Sequence, residues 1–166
     1  MEKGLFPETI NPHYIELIVK AAPMHDIGKI VVPDSILKKP GRLTPEEFEQ
    51  IKRHTKEGGR IVYEILGKIE EPEYVKIAQG HHEKWDGTGY PYGKKGEEIP
   101  LSARIMAVAD VFDALVSPRC YKEPISIDKA FDILLDGRGT HFDSRLIDSF
   151  LGLREIIETI LMMYSD

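Results

Sequence analysis

Cysteine is nearly missing from this chain. Cys120 is the only one in 166 residues, so no internal disulfide can form, and we read it as a loop residue and not as a nucleophile. Long apolar runs are missing too: none approaches the roughly 20 residues of a membrane-spanning helix. The acidic, proline-containing N-terminus lacks the basic and then apolar pattern of a signal peptide, so a cytoplasmic location is expected. Positive charge is in deficit. A net charge of −6 argues against a nucleic-acid polymer as partner, but leaves room for a small phosphate ligand held by a few local cations. No repeat, low-complexity tract or second domain is visible, and the length suits a single domain, residues 1–166, with one core.

What the chain does have is histidine and carboxylate in suggestive places. His25 and Asp26 are adjacent, and His54, the pair His81 and His82, and Asp110 follow. Neutral imidazoles and carboxylate oxygens are the ligands a divalent ion takes, and the two oxygens of Asp26 could bridge two ions.

The hydrophobic pattern predicts an all-α fold, a compact bundle of about six or seven helices. Asn11-Pro12 is a helix start, with an apolar stripe of Ile15, Ile18, Val19 and Ala22 leading to His25. Thr44-Pro45-Glu46-Glu47 is a capping box opening a long helix, on which Phe48, Ile51, Ile61 and Ile65 are expected to frame an inward His54. Pro72 is expected to begin a helix that ends near His81 and His82, before the turn-forming Asp86-Gly87-Thr88-Gly89. On a regular helix neighbouring residues diverge by roughly 100°, so these two histidines are expected to serve different ions, or one ion and one substrate group. The segment 101–116 is apolar on most sides yet carries Asp110 and Asp113. A buried Asp110 needs a metal or a cation such as Arg104 or Lys29 beside it. Two further helices are expected at about 126–136 and 143–164.

Each feature has a bland reading. A lone inward histidine such as His54 is usually a hydrogen-bonded core residue. Asp86 to Pro91 alone is an ordinary turn. Lys29 could be a solvated charge, His13 an exposed helix residue and His141 a turn cap, and the last two are left out of the site.

The ordered set changes the balance. His25-Asp26-Ile27-Gly28-Lys29, Pro33-Asp34-Ser35-Ile36-Leu37, Leu43-Thr44-Pro45-Glu46-Glu47-Phe48 with His54, His81-His82-Glu83, Asp86-Gly87-Thr88-Gly89-Tyr90-Pro91, Ala103 to Leu115 and Gly139-Thr140-His141-Phe142-Asp143 together resemble the HD-GYP family of phosphodiesterases, within the HD superfamily of metal-dependent phosphohydrolases. The resemblance runs from about residue 20 to about residue 150, and Cys120 stands where the family commonly has proline.

It implies hydrolysis of cyclic di-GMP, a bacterial second messenger, to pGpG, GMP or both, with two divalent metal ions, iron or manganese, as cofactors. Carried over by position, one ion takes His25, Asp26 and Asp110 and the other takes Asp26, His54, His81 and His82. Asp26 and Lys29 are then catalytic, Lys29, Asp113, Arg119 and Lys122 face the substrate, and Gly89, Tyr90 and Pro91 form a loop that can meet diguanylate cyclase (GGDEF) partners. The family's preceding helix, with a further histidine ligand, is not found before His25. The domain is therefore expected to be N-terminally incomplete, with an N-terminal sensory or receiver domain as the family's usual companion. Two other classes stay open at this point: a catalytically impaired module that binds cyclic di-GMP or a diguanylate cyclase, and another HD-type nucleotide phosphohydrolase.

Overall fold

Capping chemistry sets the helix starts. In the computed structural model, which describes residues 5–66, 73–118 and 124–163, α1 (Pro12–Ala21) has Pro12 at its first position, and the Asn11 side chain accepts the Tyr14 N–H at 2.9 Å. A four-residue α2 (Asp34–Leu37) follows two short 3-10 turns, Ala22–Met24 and Ile27–Val31. The long α3 (Pro45–Ile65) starts with the full reciprocal box: the Glu47 N–H donates to Thr44 Oγ1, and the Thr44 N–H donates to the Glu47 carboxylate at 2.7 Å.

Next comes α4 (Glu73–Gly80); Pro72, the expected opening residue, lies outside the described residues. The chain continues through α5 (Leu101–Val116), α6 (Ile127–Asp136), α7 (Ser144–Gly152) and α8 (Arg154–Met163). The described residues thus hold eight α-helices and no β-strand, against the six or seven helices expected. Besides the short α2, the difference comes from the segment 143–164, which breaks at Leu153 directly after Gly152, a weak helix former.

Two buried faces also differ from expectation. On α1 the inward line is Tyr14, Ile18 and Ala21, while Ile15 and Val19 are 52% and 65% exposed. On α3 the inward residues are His54, Thr55, Gly58, Gly59 and Val62, whereas Phe48 and Ile65 are exposed and Ile51 and Ile61 only half-buried. The pattern misled because the inner face of α3 is kept free of bulk: the turn Ile27–Val31 packs directly on it. A Cβ on Gly28 would lie 1.9 Å from the His54 carbonyl oxygen and 2.5 Å from the Gly58 nitrogen, so only hydrogen fits there.

The larger core joins α5, α6 and α7 around a triangle of Phe112, Phe131 and Phe150, with ring centroids 5.1 to 5.7 Å apart. A smaller one, Ala21, Ile77 and Met106, ties α1 and α4 to α5. An ion pair between α5 and the start of α7 is nearly enclosed, with side-chain exposures of 10% and 1%. Arg104 on α5 donates to Asp143 at 2.7 Å, and Asp143 also caps α7 and pairs with Arg145. Burial alone would raise the Asp143 pKa, but the two guanidiniums hold it below the usual carboxylate range. Arg104 is thereby committed to Asp143, away from Asp110.

Two stability outcomes are expected. Gly28→Ala should cost about 2 kcal/mol through overpacking, read as a lower urea midpoint; an unchanged midpoint would mean that the turn can back away from α3. Asp143→Asn should cost about 3 kcal/mol at neutral pH by leaving Arg104 buried without its counter-charge. Because the folded carboxyl is depressed, this contribution is present above the unfolded pKa of about 4 and is lost as pH falls through the lower folded value. Wild type and variant should therefore converge in acid; a constant gap would assign the loss to packing.

Candidate metal centre

Four parts of the chain end at one point. His25 and Asp26 sit between the two 3-10 turns, His54 in the middle of α3, His81 just past the end of α4 and Asp110 on α5. The His54 and His81 side chains are completely buried. Because α4 stops at Gly80, His82 leaves the helical path, and its ring comes within 4.1 Å of the His81 ring and 5.1 Å of the His54 ring. The divergence expected for helical neighbours is therefore not observed: His81 and His82 face one cluster. Asp26, His54, His81 and His82 present ligand atoms that all lie within 4.8 Å of one another.

The protonation of the rings follows from their backbone contacts. Nδ1 of His25, His54 and His81 lies 2.7, 2.6 and 3.0 Å from the carbonyl oxygens of Ala22, Ile51 and Ile77. A carbonyl can only accept, so each Nδ1 carries the proton and donates it. In neutral His54 and His81, Nε2 is then a bare lone pair. These two nitrogens are 3.5 Å apart and lie 3.4 and 3.8 Å from Asp26 Oδ1. That oxygen is buried and finds no hydrogen-bond donor among the described residues.

Three electron-pair donors thus converge with no proton between them, and a divalent cation satisfies all three at once. Burial, and then the charge of neighbouring histidines, lowers the pKa of His81 to about 4 and of His82 to about 3, while burial lowers that of His54. All three are neutral at pH 7, as ligands must be.

The second oxygen of Asp26 looks the other way. Oδ2 is 3.3 Å from His25 Nε2 and is paired with the Lys29 ammonium, while His25 Nε2 is 3.6 Å from Asp110 Oδ1. Burial opposes a charged His25, but the hydrogen bonds to Asp110 and Asp26 outweigh it and raise its pKa to about 10. The same contacts, with Lys29 on Asp26, hold both carboxyls below their usual range against the pull of burial. Of the expected compensations for Asp110, a metal or a cation such as Arg104 or Lys29, the two cations lie on Asp143 and Asp26, and the charged neighbour of Asp110 is His25.

Asp113, one turn further along α5, is exposed and accepts the Ser117 hydroxyl at 2.8 Å. Arg119 and Lys122 lie outside the described residues.

An HD domain is matched over residues 12–146. This chain belongs to the HD-domain family. Its GYP loop and its relatives place it in the HD-GYP group. It is 50% identical over 160 residues to a probable cyclic di-GMP phosphodiesterase of Vibrio cholerae serotype O1, covering 88% of this chain and 34% of that protein. It is 41% identical over 136 residues to a 3'3'-cGAMP-specific phosphodiesterase of the same organism, covering 82% of this chain and 26% of the relative. The chain therefore spans about a third or less of these relatives' length. Among solved structures, a cyclic GMP-AMP specific phosphodiesterase from V. cholerae shares the fold, with a TM-score of 0.66 over 92% of this chain and 41% of that one, at 17% identity.

The HD-domain cluster is walled by the loop between α4 and α5. Tyr90 lays its ring 4.8 Å from that of His82 and 6.5 Å from that of His54, and its N–H donates to the His82 carbonyl. The loop is organised by Glu83, which sequence reasoning did not single out. Its buried carboxylate accepts the Tyr92 and Lys94 N–H groups at 2.7 and 3.0 Å. An acid wedged between the histidine pair and a glycine-rich turn was the available signal. His141, left out of the site, stacks on Phe142 with centroids 4.1 Å apart.

His54→Ala and Asp26→Ala should each lose at least one bound metal ion after loading, measured by elemental analysis, with helix content by circular dichroism retained. Unchanged metal content in both would remove the assignment.

Proposed function

We propose that this chain is the catalytic part of a metal-dependent phosphodiesterase that hydrolyses cyclic di-GMP to linear pGpG, with GMP as a further product. The observation that carries this reading is the convergence of His54 Nε2, His81 Nε2 and the partnerless Asp26 Oδ1 on one point. The 50% identical relative named a probable cyclic di-GMP phosphodiesterase supports the choice of substrate.

Asp26 divides the donors into two groups, which supports a two-ion reading. His25, once an ion displaces its Nε2 proton, would hold one ion together with Asp26 and Asp110, and Asp26, His54, His81 and His82 would hold the other. Iron or manganese suits such a mixed nitrogen and oxygen set. Bound divalent ions supply an activated water and neutralise charge on the phosphoryl oxygens.

The chain's own residues orient and balance charge around that chemistry. Water oxygen bonds to phosphorus, the phosphorus bond to the 3' oxygen breaks, and the leaving oxygen takes up the proton. Asp26 and Lys29 carry the catalytic roles in this reading. The Lys29 side chain is 37% exposed, so its ammonium can keep Asp26 ionised and still reach a phosphate oxygen. Asp113, Arg119 and Lys122 are assigned to the substrate side. The rings of His82 and Tyr90 close the site on one flank and exclude bulk water there.

The test is turnover by the metal-loaded chain, prepared without oxygen, on cyclic di-GMP and on 3'3'-cGAMP, with products separated by anion-exchange chromatography. Cyclic di-GMP should be converted at the higher kcat/KM. Lys29→Ala should retain metal and lower kcat about 100-fold. Full metal loading with no cleavage of either compound would sink the proposal, and preference for 3'3'-cGAMP would move the substrate to that of the 41% identical relative.

A further inference from the structure

A second concave surface lies beside the metal centre. Between α3 and the loop after α4 runs a groove of about 310 Å³, a volume at the lower end of small-ligand sites. Glu49, Lys52, Arg53 and Lys56 form one wall, and Tyr90 and Pro91 the other. Three cations face one carboxylate here, although the chain as a whole carries −6. Lys52 takes the carboxylate, bonding Glu49 at 2.6 Å, and its ammonium stands over the Phe48 and Tyr90 rings at 4.9 and 5.6 Å. Among the described residues Arg53 and Lys56 have no carboxylate partner, and both are exposed. The groove is therefore locally cationic, with the Lys56 ammonium resting over the Tyr92 ring at 5.3 Å.

Its position matters as much as its charge. Tyr90 belongs both to the groove wall and to the ring stack over His82 and His54. One ring's width thus separates the groove from the cluster that would hold the reacting phosphate. A cyclic dinucleotide carries two phosphates and two bases, and only one phosphodiester can sit on the metal ligands at a time. The remaining half needs a site that offers positive charge and a flat apolar surface within one nucleotide's reach.

We propose that the groove between α3 and the loop holds the half of the dinucleotide that is not being cleaved, with Arg53 and Lys56 meeting its phosphate and the Tyr90 and Pro91 wall meeting its base. This inference rests on the phosphodiester reading above. It makes these residues determinants of specificity, selecting dinucleotides over simple phosphodiesters that need the metal centre alone.

The experiment compares the wild-type, metal-loaded chain with Arg53→Gln/Lys56→Gln on two substrates, cyclic di-GMP and bis(p-nitrophenyl) phosphate. The ratio of kcat/KM for the dinucleotide over the simple diester should fall at least tenfold in the double variant, mainly through KM. Its dependence on salt should weaken, and Arg53→Lys/Lys56→Arg should restore the ratio. Wild-type turnover of both substrates with an unchanged ratio in the variant overturns the groove and leaves the phosphodiesterase reading standing. A wild type that cleaves the simple diester but neither cleaves nor binds cyclic di-GMP or 3'3'-cGAMP overturns both.

Discussion

Three unshared electron pairs aimed at the same point are the constraint on which this architecture turns. His54 and His81 each donate their Nδ1–H to a backbone carbonyl about one turn earlier, so neither can relieve the contact between their Nε2 atoms by flipping a tautomer. Asp26 Oδ1 adds a negative oxygen to the same space. A structure that served stability alone would place a donor there or fill the volume with hydrocarbon. A divalent cation would satisfy all three acceptors at once, and the surrounding helices keep them from relaxing apart.

That arrangement depends on close backbone approach more than on hydrophobic filling. Asp26 reaches the histidines because Gly28 lets its turn rest on the α3 backbone beside His54 and Gly58. His81 and His82 both reach the cluster because α4 ends one residue before them. Asp110 enters from α5, whose other faces are fixed by the phenylalanine triangle and by the Arg104–Asp143 pair. The polar interior is thus held in place by an apolar core on one side and an enclosed ion pair on another.

The sequence made some of this legible and hid the rest for identifiable reasons. Helix starts at Asn11-Pro12 and Thr44-Pro45 were readable because capping is local: the groups involved lie within three residues. The residues of the cluster were readable because metal-ligand types recur in a recognisable order. The inward turn of His54 was readable, but the residues beside it on α3 and the buried line of α1 were not, because a periodicity argument assumes that hydrophobes mark the interior, and α3 turns Gly58 and Gly59 inward in place of Phe48 and Ile65. The partners of Arg104 and Asp110 were also out of reach: Arg104 bonds a residue 39 positions away, and nothing local distinguishes Asp143 from Asp110 as its mate. The cations Lys52, Arg53 and Lys56 around His54 drew no reading from the sequence, because their meaning depends on the loop that folds against them.

That loop links the two halves of the functional surface. Glu83, buried directly after the histidine pair, spends both carboxylate oxygens on the Tyr92 and Lys94 amides and so fixes the far side of the loop. Gly89 lies so close to the Lys84 nitrogen that a Cβ would stand 2.2 Å away, which pins the near side. Between these two anchors Tyr90 has its backbone bonded to His82, so its ring keeps a set position over the imidazoles. The same ring bounds the cationic groove. A displacement of Tyr90 would therefore change one flank of the histidine cluster and the wall of the groove together. The histidine cluster and the cationic groove are in this way coupled through one aromatic side chain, whose place is set by Glu83, by Gly89 and by the bond to His82.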